Sequence, residues 1–296
     1  MKILLFGRDG QVGTELRRSL ALVGEVVAPP RAGAGLGGDL FDAEGISATV
    51  QSVRPDAIVN AAAYTAVDRA EDEPELAMRV NAEAPALLAR LAGQCGAWLV
   101  HYSTDYVYDG AGTRPWKEED VAAPLGVYGT SKLAGDRAVA GHARHLILRT
   151  SWVYAPHGGN FARTILRLGG ERSELKIIDD QFGAPTPAQL LADATAHMLR
   201  AARGDPALAG LYHVVPAGET SWHGYAVELL RLARARGLPV KVAASAVLPI
   251  PSSAYPVRAR RPHNSRLDTT RFRRAFGFAL PDWREPLARF IETLPQ

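Results

Sequence analysis

At 296 residues and 47% hydrophobic, the chain is long enough to bury one elaborated domain or two modest ones, and too apolar for disorder. Its formal net charge is only +3, and its basic clusters, at 258–264 and 271–274, are shorter than the stripe a nucleic-acid face needs. No apolar run reaches the ~18 residues of a membrane span, and glycines interrupt the opening MKILLFGRDG before it reaches signal-peptide length, so the chain reads as a soluble cytoplasmic protein without membrane or nucleic-acid partners. Cys95, the single cysteine, excludes an intrachain disulfide and a cysteine metal cluster, and its helix-to-strand setting reads as ordinary packing.

In chain order, KILLFG (2–7) predicts a buried strand, and residues 11–24 a helix with Val12, Leu16, Leu20 and Val23 on one face. Strands follow at 25–30, 56–63, 97–104 and 145–154, separated by helical stretches at 46–55, 74–96 and 133–142. Near-continuous apolar strands alternating with helices predict a parallel sheet covered on both faces, an α/β doubly wound Rossmann-type fold. Beyond residue 150 the rhythm loosens into a strand, a Gly/Pro-rich turn and a helix over 175–201, an amphipathic helix over 221–237, a short strand at 240–247 and a Pro-rich extended segment at 249–268. We expect a dinucleotide-binding domain over 1–150, with about 186–216 returning to it. A smaller α/β substrate-binding part would span 151–185 and 217–296.

Gly7, Gly10 and Gly13 stand at three-residue spacing between the first strand and the first helix. The spacing alone fits any Gly-rich turn. Placed directly between a strand and a helix, it points to a pyrophosphate resting on the helix N-terminus, with Gln11 and Val12 in the same turn. The second strand ends in Pro29, Pro30 and Arg31 rather than in the carboxylate that would bind a ribose 2′-hydroxyl. Arg31 favours a 2′-phosphate, hence NADPH, with NADH as the alternative. Asp39 and Leu40 face the adenine in this reading, and Ala62, Ala63 and Tyr64 line the end of the third strand.

Tyr128 and Lys132 lie one helical turn apart in YGTSK, a spacing that chance also supplies. The segment HYSTDYVYDG gives the pair a context. It leaves an apolar strand at its carboxyl end and carries Tyr102, Thr104, Asp105 and Tyr106 to the nucleotide crevice. A ketone accepting hydride needs a proton donor, and an ordinary phenol, of pKa near 10, holds its proton too firmly for efficient exchange near neutrality. An ammonium beside it favours the phenolate, and a hydroxyl at Thr104 would hold the substrate oxygen in line.

Together the glycine pattern, YSTDYVYDG and YGTSK resemble the extended short-chain dehydrogenase/reductase family. The longer strings VNAAAYTAVDRAE, LRTSWVYA, DDQFGAPT and RRPHNSRLD resemble its dTDP-sugar reductase branch along nearly the whole chain. The resemblance implies reduction of the C4 ketone of dTDP-4-dehydro-L-rhamnose by NAD(P)H, the last step of dTDP-rhamnose synthesis. It implies Tyr128 as proton donor, Lys132 as its partner and cofactor contact, and Thr104 as third catalytic position. Asp105, Tyr106 and Trp152 would line the sugar pocket, and Arg261, Asn264 and Arg266 the diphosphate end, although a Trp at a strand end is more often core and a basic tail more often solvated. Relatives that dimerise through Mg²⁺ use three glutamates. Here Glu15 and Glu292 match, but Gln189 stands third, and a neutral amide is a weaker ligand for a hard cation. Mg²⁺ and that dimer are therefore in doubt, leaving monomer or homodimer. Two other readings stay open: a dTDP-sugar epimerase or dehydratase, against which TDYVYD lacks the glutamate of a dehydratase TDE, and a non-catalytic nucleotide-binding regulatory relative, against which Tyr128 and Lys132 are both present.

Overall fold

The computed structural model describes residues 1–32 and 35–294. Its centre is a six-stranded sheet of β1 (Lys2–Phe6), β2 (Glu25–Val27), β3 (Ala57–Asn60), β4 (Trp98–Thr104), β5 (His145–Thr150) and, from much later in the chain, β10 (Gly210–His213). The spatial order is β10-β5-β4-β3-β1-β2, and every pairing is parallel. The order reverses between β1 and β3, and ligands of such sheets bind in the crevice at the carboxyl ends beside that reversal.

Residues alternate strictly between the two faces, as the period of a strand requires. Ile3, Leu5, Val59 and Val100 meet α1 (Gln11–Leu20) and α8 (Ala188–Gly204) on one side, a layer that also takes in Phe272 and Phe276 of α10 (Thr270–Phe276). Leu4, Phe6, Ile58 and Leu99 meet α2 (Ala43–Val53) and α5 (Ala84–Cys95) on the other. Asp42 caps α2 by accepting from the Gly45 amide, and Arg54 ends it in the left-handed conformation. Two short helices, α3 (Val67–Ala70) and α4 (Pro74–Met78), precede α5, and a single π turn, Arg79–Glu83, joins α4 to it. The helix α6 (Val127–Ala140) buries Ser131, Lys132 and Asp136 beside Leu133 and Val139, a polar stripe no helix turns inward without partners.

After β5 the chain breaks rather than continuing as the single strand expected to residue 154. Trp152 sits at φ 50, in the left-handed region, and a two-residue strand β6 (Val153–Tyr154) then pairs with β9 (Thr186–Pro187) instead of joining the sheet. Around it α7 (Phe161–Glu171), α9 (Trp222–Ala235) and α11 (Arg284–Thr293) enclose a separate core that includes Tyr154, Tyr225, Leu229, Trp283 and Phe290. Three short strands complete this part: β7 (Leu175–Ile178), β8 (Phe182–Gly183) and β11 (Thr220–Ser221). The strand expected at 240–247 forms instead at β12 (Val247–Ile250), because that segment lies in register with β7. Cys95 is exposed at the end of α5 rather than packed, its thiol donating to the Leu91 carbonyl. No helix among the described residues is long and apolar enough to cross a membrane.

Candidate active site

The glycine turn closes on the third strand. Gly7, at φ 82, would set a Cβ only 2.5 Å from the Ala62 amide nitrogen, and a Cβ at Gly13 would fall inside the Gly7 carbonyl. Gly10, the N-cap of α1, meets no such obstacle beyond the Gly7 carbonyl at 3.4 Å and leaves the helix end without a side-chain cap. The first amides of α1, from Gln11 and Val12, therefore face an open cradle that fits a pyrophosphate. Ala62 takes its position from Asn60, whose side-chain oxygen accepts the Ala62 amide at 3.2 Å. Arg31 is largely exposed and lies 3.5 Å from Asp39, with its guanidinium over Phe41. Arg8, not expected from the sequence, reaches from the glycine turn to the Ala28 carbonyl at 2.9 Å, which brings a second guanidinium to the end of β2. Leu40 is buried against α2.

Two helices fix the other wall. Asn81, in the π turn, accepts the Tyr64 amide at 2.8 Å and donates to the Tyr64 carbonyl at 3.0 Å, while also donating to Ser131 at 3.1 Å. The Tyr64 hydroxyl donates to Glu73 at 2.5 Å. Glu71 accepts the Val127 amide and so caps α6 from outside. Ala63 completes this segment, partly buried.

At the carboxyl end of β4, the Thr104 hydroxyl donates to Asp105 at 3.1 Å and accepts the Tyr106 amide at 3.2 Å. Tyr106 packs edge-on against Tyr128, ring centroids 5.5 Å apart. Burial pushes the Tyr128 phenol above its ordinary pKa, Thr104 pulls it down, and Asp105 and Asp136 raise it further. The phenol is thus held protonated, and the lowering expected from an adjacent ammonium does not figure among these influences. Lys132 is 2% exposed and donates to the Tyr102 carbonyl at 2.6 Å. Burial lowers its ammonium to about 8, with Asp136 opposing the fall. Asp105, with one carboxyl oxygen unpartnered, is raised by burial to about 6, against hydrogen bonds from Ser265 and Thr104. The Tyr102 hydroxyl pairs with Thr195 at 2.6 Å, away from the crevice.

Trp152 lies flat on Trp222, centroids 3.7 Å apart, with Gly183 against its edge. Trp222 was not anticipated. The tail residues are already engaged: Arg261 donates to Asp68 at 2.8 Å and Arg266 to Glu219 at 2.6 Å. The Asn264 amide donates to the Ala111 and Arg114 carbonyls and accepts from Arg266, tying the loop after β4 to the tail. Glu15 lies 3.7 Å from Arg18, and Glu292 and Gln189 are exposed on α11 and α8. No group of three or more His, Cys, Asp or Glu able to hold a metal occurs among the described residues.

The sequence matches the family model described as RmlD substrate binding domain over residues 1–295. It is 52% identical over 295 residues to the dTDP-4-dehydrorhamnose reductase of Escherichia coli strain K12, covering 99% of this chain and 98% of that protein. The chain belongs to the dTDP-4-dehydrorhamnose reductase family. The reductase of Burkholderia thailandensis is 49% identical over 299 residues, covering 99% of both. A solved dTDP-4-dehydrorhamnose reductase from Bacillus anthracis, in complex with NADP, superposes with a TM-score of 0.88 at 33% identity, covering 99% of each chain. A dTDP-glucose 4,6-dehydratase from Streptomyces venezuelae, at 21% identity and TM-score 0.78, shares the fold.

Five further polar residues lie beneath the crevice and were not expected from the sequence: Asn60, Asn81, His101, Asp136 and Arg149. All are polar and at most 5% exposed. Their local sequence does not mark them; they stand out only once the fold buries polar side chains among apolar neighbours.

Proposed function

We propose that the protein reduces the C4 ketone of dTDP-4-dehydro-L-rhamnose to dTDP-L-rhamnose with NADPH. The observation that carries this reading is the convergence of Tyr128, Thr104 and Lys132 at the carboxyl end of β4, two strands from the glycine cradle. With NADPH bound on that cradle, its nicotinamide supplies the hydride. Gly7, Gly10, Gln11, Val12 and Gly13 hold the pyrophosphate, Arg31 and Arg8 the 2′-phosphate, and Asp39, Leu40, Ala62, Ala63, Tyr64 and Tyr102 the remainder of the cofactor wall.

Tyr128 delivers its proton to the developing alkoxide, and its raised pKa keeps that proton in place until the oxygen has become basic enough to take it. Lys132 donates to the cofactor ribose and stabilises the phenolate left behind. Thr104 fixes the carbonyl oxygen. Asp105, Tyr106 and Trp152 receive the sugar ring, Trp152 with Trp222 as a double aromatic wall. Arg261, Asn264 and Arg266 serve the diphosphate end, Arg261 exchanging Asp68 for phosphate.

Cofactor binding belongs in this reading to 1–150 with 186–216, on which Thr270–Phe276 also packs, and the sugar nucleotide to 151–185 and 217–296. The protein works in the cytoplasm as a monomer or homodimer, without a catalytic metal. The test is direct: mixed with NADPH and dTDP-4-dehydro-L-rhamnose, the purified protein should consume NADPH and give dTDP-L-rhamnose by proton NMR. No consumption beside an active control reductase overturns the assignment.

A further inference from the structure

Beneath the crevice a row of buried polar side chains crosses the sheet from the cofactor wall to its far edge. It begins at the Ala62 amide, which donates to the Asn60 side-chain oxygen. That bond fixes the orientation of the amide, so the Asn60 nitrogen is the atom facing His101 Nδ1, at 3.3 Å. His101 Nδ1 then accepts and Nε2 carries the proton. Nε2 faces Asp136 Oδ1 at 3.9 Å and Lys132 Nζ at 3.4 Å. Asp136 Oδ2 accepts Arg149 Nε at 3.0 Å, and Arg149 continues to the Tyr108 hydroxyl at 2.9 Å, which meets His213 at 2.8 Å.

This row contains a charge the fold does not need for itself. Arg149 is satisfied by Oδ2 and Tyr108, while Asp136 Oδ1 is buried with no hydrogen bond. An unpartnered carboxylate oxygen in an apolar interior is costly unless a cation shares its field. Two cations and a polar ring face that carboxylate: Lys132 from one turn earlier on α6, Arg149 from β5, and neutral His101 from β4. Burial raises the Asp136 carboxyl, and Arg149, the Ser103 hydroxyl of β4 and Lys132 oppose that rise. Burial drives His101 well below its ordinary pKa, so it brings no positive charge of its own. Lys132 is the cation left to be balanced.

We propose that Asp136 is a positioning residue of the reduction: its carboxylate, clamped by Arg149, keeps Lys132 an ammonium, while the His101 tautomer set by Asn60 leaves that ammonium free for the crevice. The proposal rests on the assignment of Tyr128 and Lys132 above. It separates two jobs within one helix turn, since Lys132 acts on ligand and Asp136 acts on Lys132. Burial alone lowers an ammonium, and Asp136 is the opposing influence.

The test is the pH profile of kcat and kcat/KM for NADPH-dependent ketone reduction by the full-length protein. In the wild type, activity falls as pH rises through the pKa of Lys132, because the deprotonated amine no longer stabilises the phenolate. Asp136→Asn keeps the shape and removes the charge, so the alkaline limb should move down by about one pH unit. Asp136→Glu should restore most of the wild-type limb. Arg149→Gln frees the carboxylate for Lys132 and should move the limb the other way, and it decides the matter if Asp136→Asn does not fold. Each variant is compared at matched thermal melting and NADPH affinity. A limb that stays in place in a folded Asp136→Asn, or in Arg149→Gln, overturns the proposal while leaving the Tyr128 assignment intact. An inactive wild type, or a Tyr128→Phe variant with full activity, overturns the assignment on which it rests.

Discussion

Asn81 holds Tyr64 by its backbone, accepting the Tyr64 amide and donating to the Tyr64 carbonyl as a neighbouring strand would. The grip exists because the helix carrying Asn81 contains one π turn, which rotates that side chain off the regular register, and such turns recur at functional sites. The same amide reaches Ser131, and a Cβ at Gly135 would fall on the Asn81 carbonyl, so the segment after β3 and the helix carrying Tyr128 are located by one residue.

Replacing Asn81 by Ala leaves the Tyr64 peptide and Ser131 unpaired in a buried place, which costs about 1–3 kcal/mol. Urea denaturation should show that loss, and a fluorescence titration should show weaker NADPH binding in the variant that remains folded. Unchanged NADPH affinity would mean that Tyr64 does not border the cofactor.

Two glycines of the first turn should separate fold from function. Gly13→Ala forces the new methyl into the Gly7 carbonyl and should lower the melting temperature as well as abolish NADPH binding. Gly10→Ala meets only ordinary contact, so it should melt close to the wild type while losing about tenfold or more in NADPH affinity, because its methyl stands over the open end of α1.

Trp222 supports Trp152 from behind, and Trp152 holds a backbone conformation rare for a bulky side chain. Trp222→Ala removes a stack worth about 0.5–1.5 kcal/mol beyond its buried area. Steady-state kinetics should show KM for the sugar nucleotide raised about tenfold. NADPH affinity should be unaffected, and an equal loss of both would place Trp222 outside the sugar pocket.

His213 is fully buried, bonded to Tyr108, and depressed to about 3, by burial first and Arg149 second. The unfolded chain takes up a proton at this residue near pH 6.5 and the folded protein does not, so this residue's contribution to stability is full above pH 6.5 and declines as pH falls toward 3. Asp105, raised to about 6, works in the opposite direction between about 6 and 3.8. The comparison of variants isolates the histidine. Between pH 6.5 and 4.5, His213→Gln should lose about 2–4 °C less in melting temperature than the wild type, whatever its stability at neutral pH.

Much of this was legible from local pattern. The apolar runs at 2–7, 56–63 and 97–104 locate three central strands because their burial on both faces leaves no polar alternation to misread. The break at Ser151–Trp152 was not legible, since VY after RTSW carries the same β-branched and aromatic signal as the strand before it, and only the left-handed Trp152 diverts it. The strand at 247–250 was displaced for a similar reason: VKVAA and VLPI are equally apolar, and pairing with β7 decides between them. Around the crevice, Tyr128, Lys132 and Thr104 stood out by type and spacing. Asp136 and Arg149 did not, because a helical Asp and a strand Arg read as surface until the fold buries them against each other.

The central claim is that the phenol of Tyr128 delivers the proton that completes the reduction. The most direct measurement compares wild type with Tyr128→Phe under saturating NADPH and dTDP-4-dehydro-L-rhamnose, following the loss of NADPH absorbance. Removal of a positioned general acid should lower kcat by about 10²–10⁴-fold, with NADPH affinity and melting temperature close to wild type. Turnover of Tyr128→Phe within a few-fold of wild type would contradict the account.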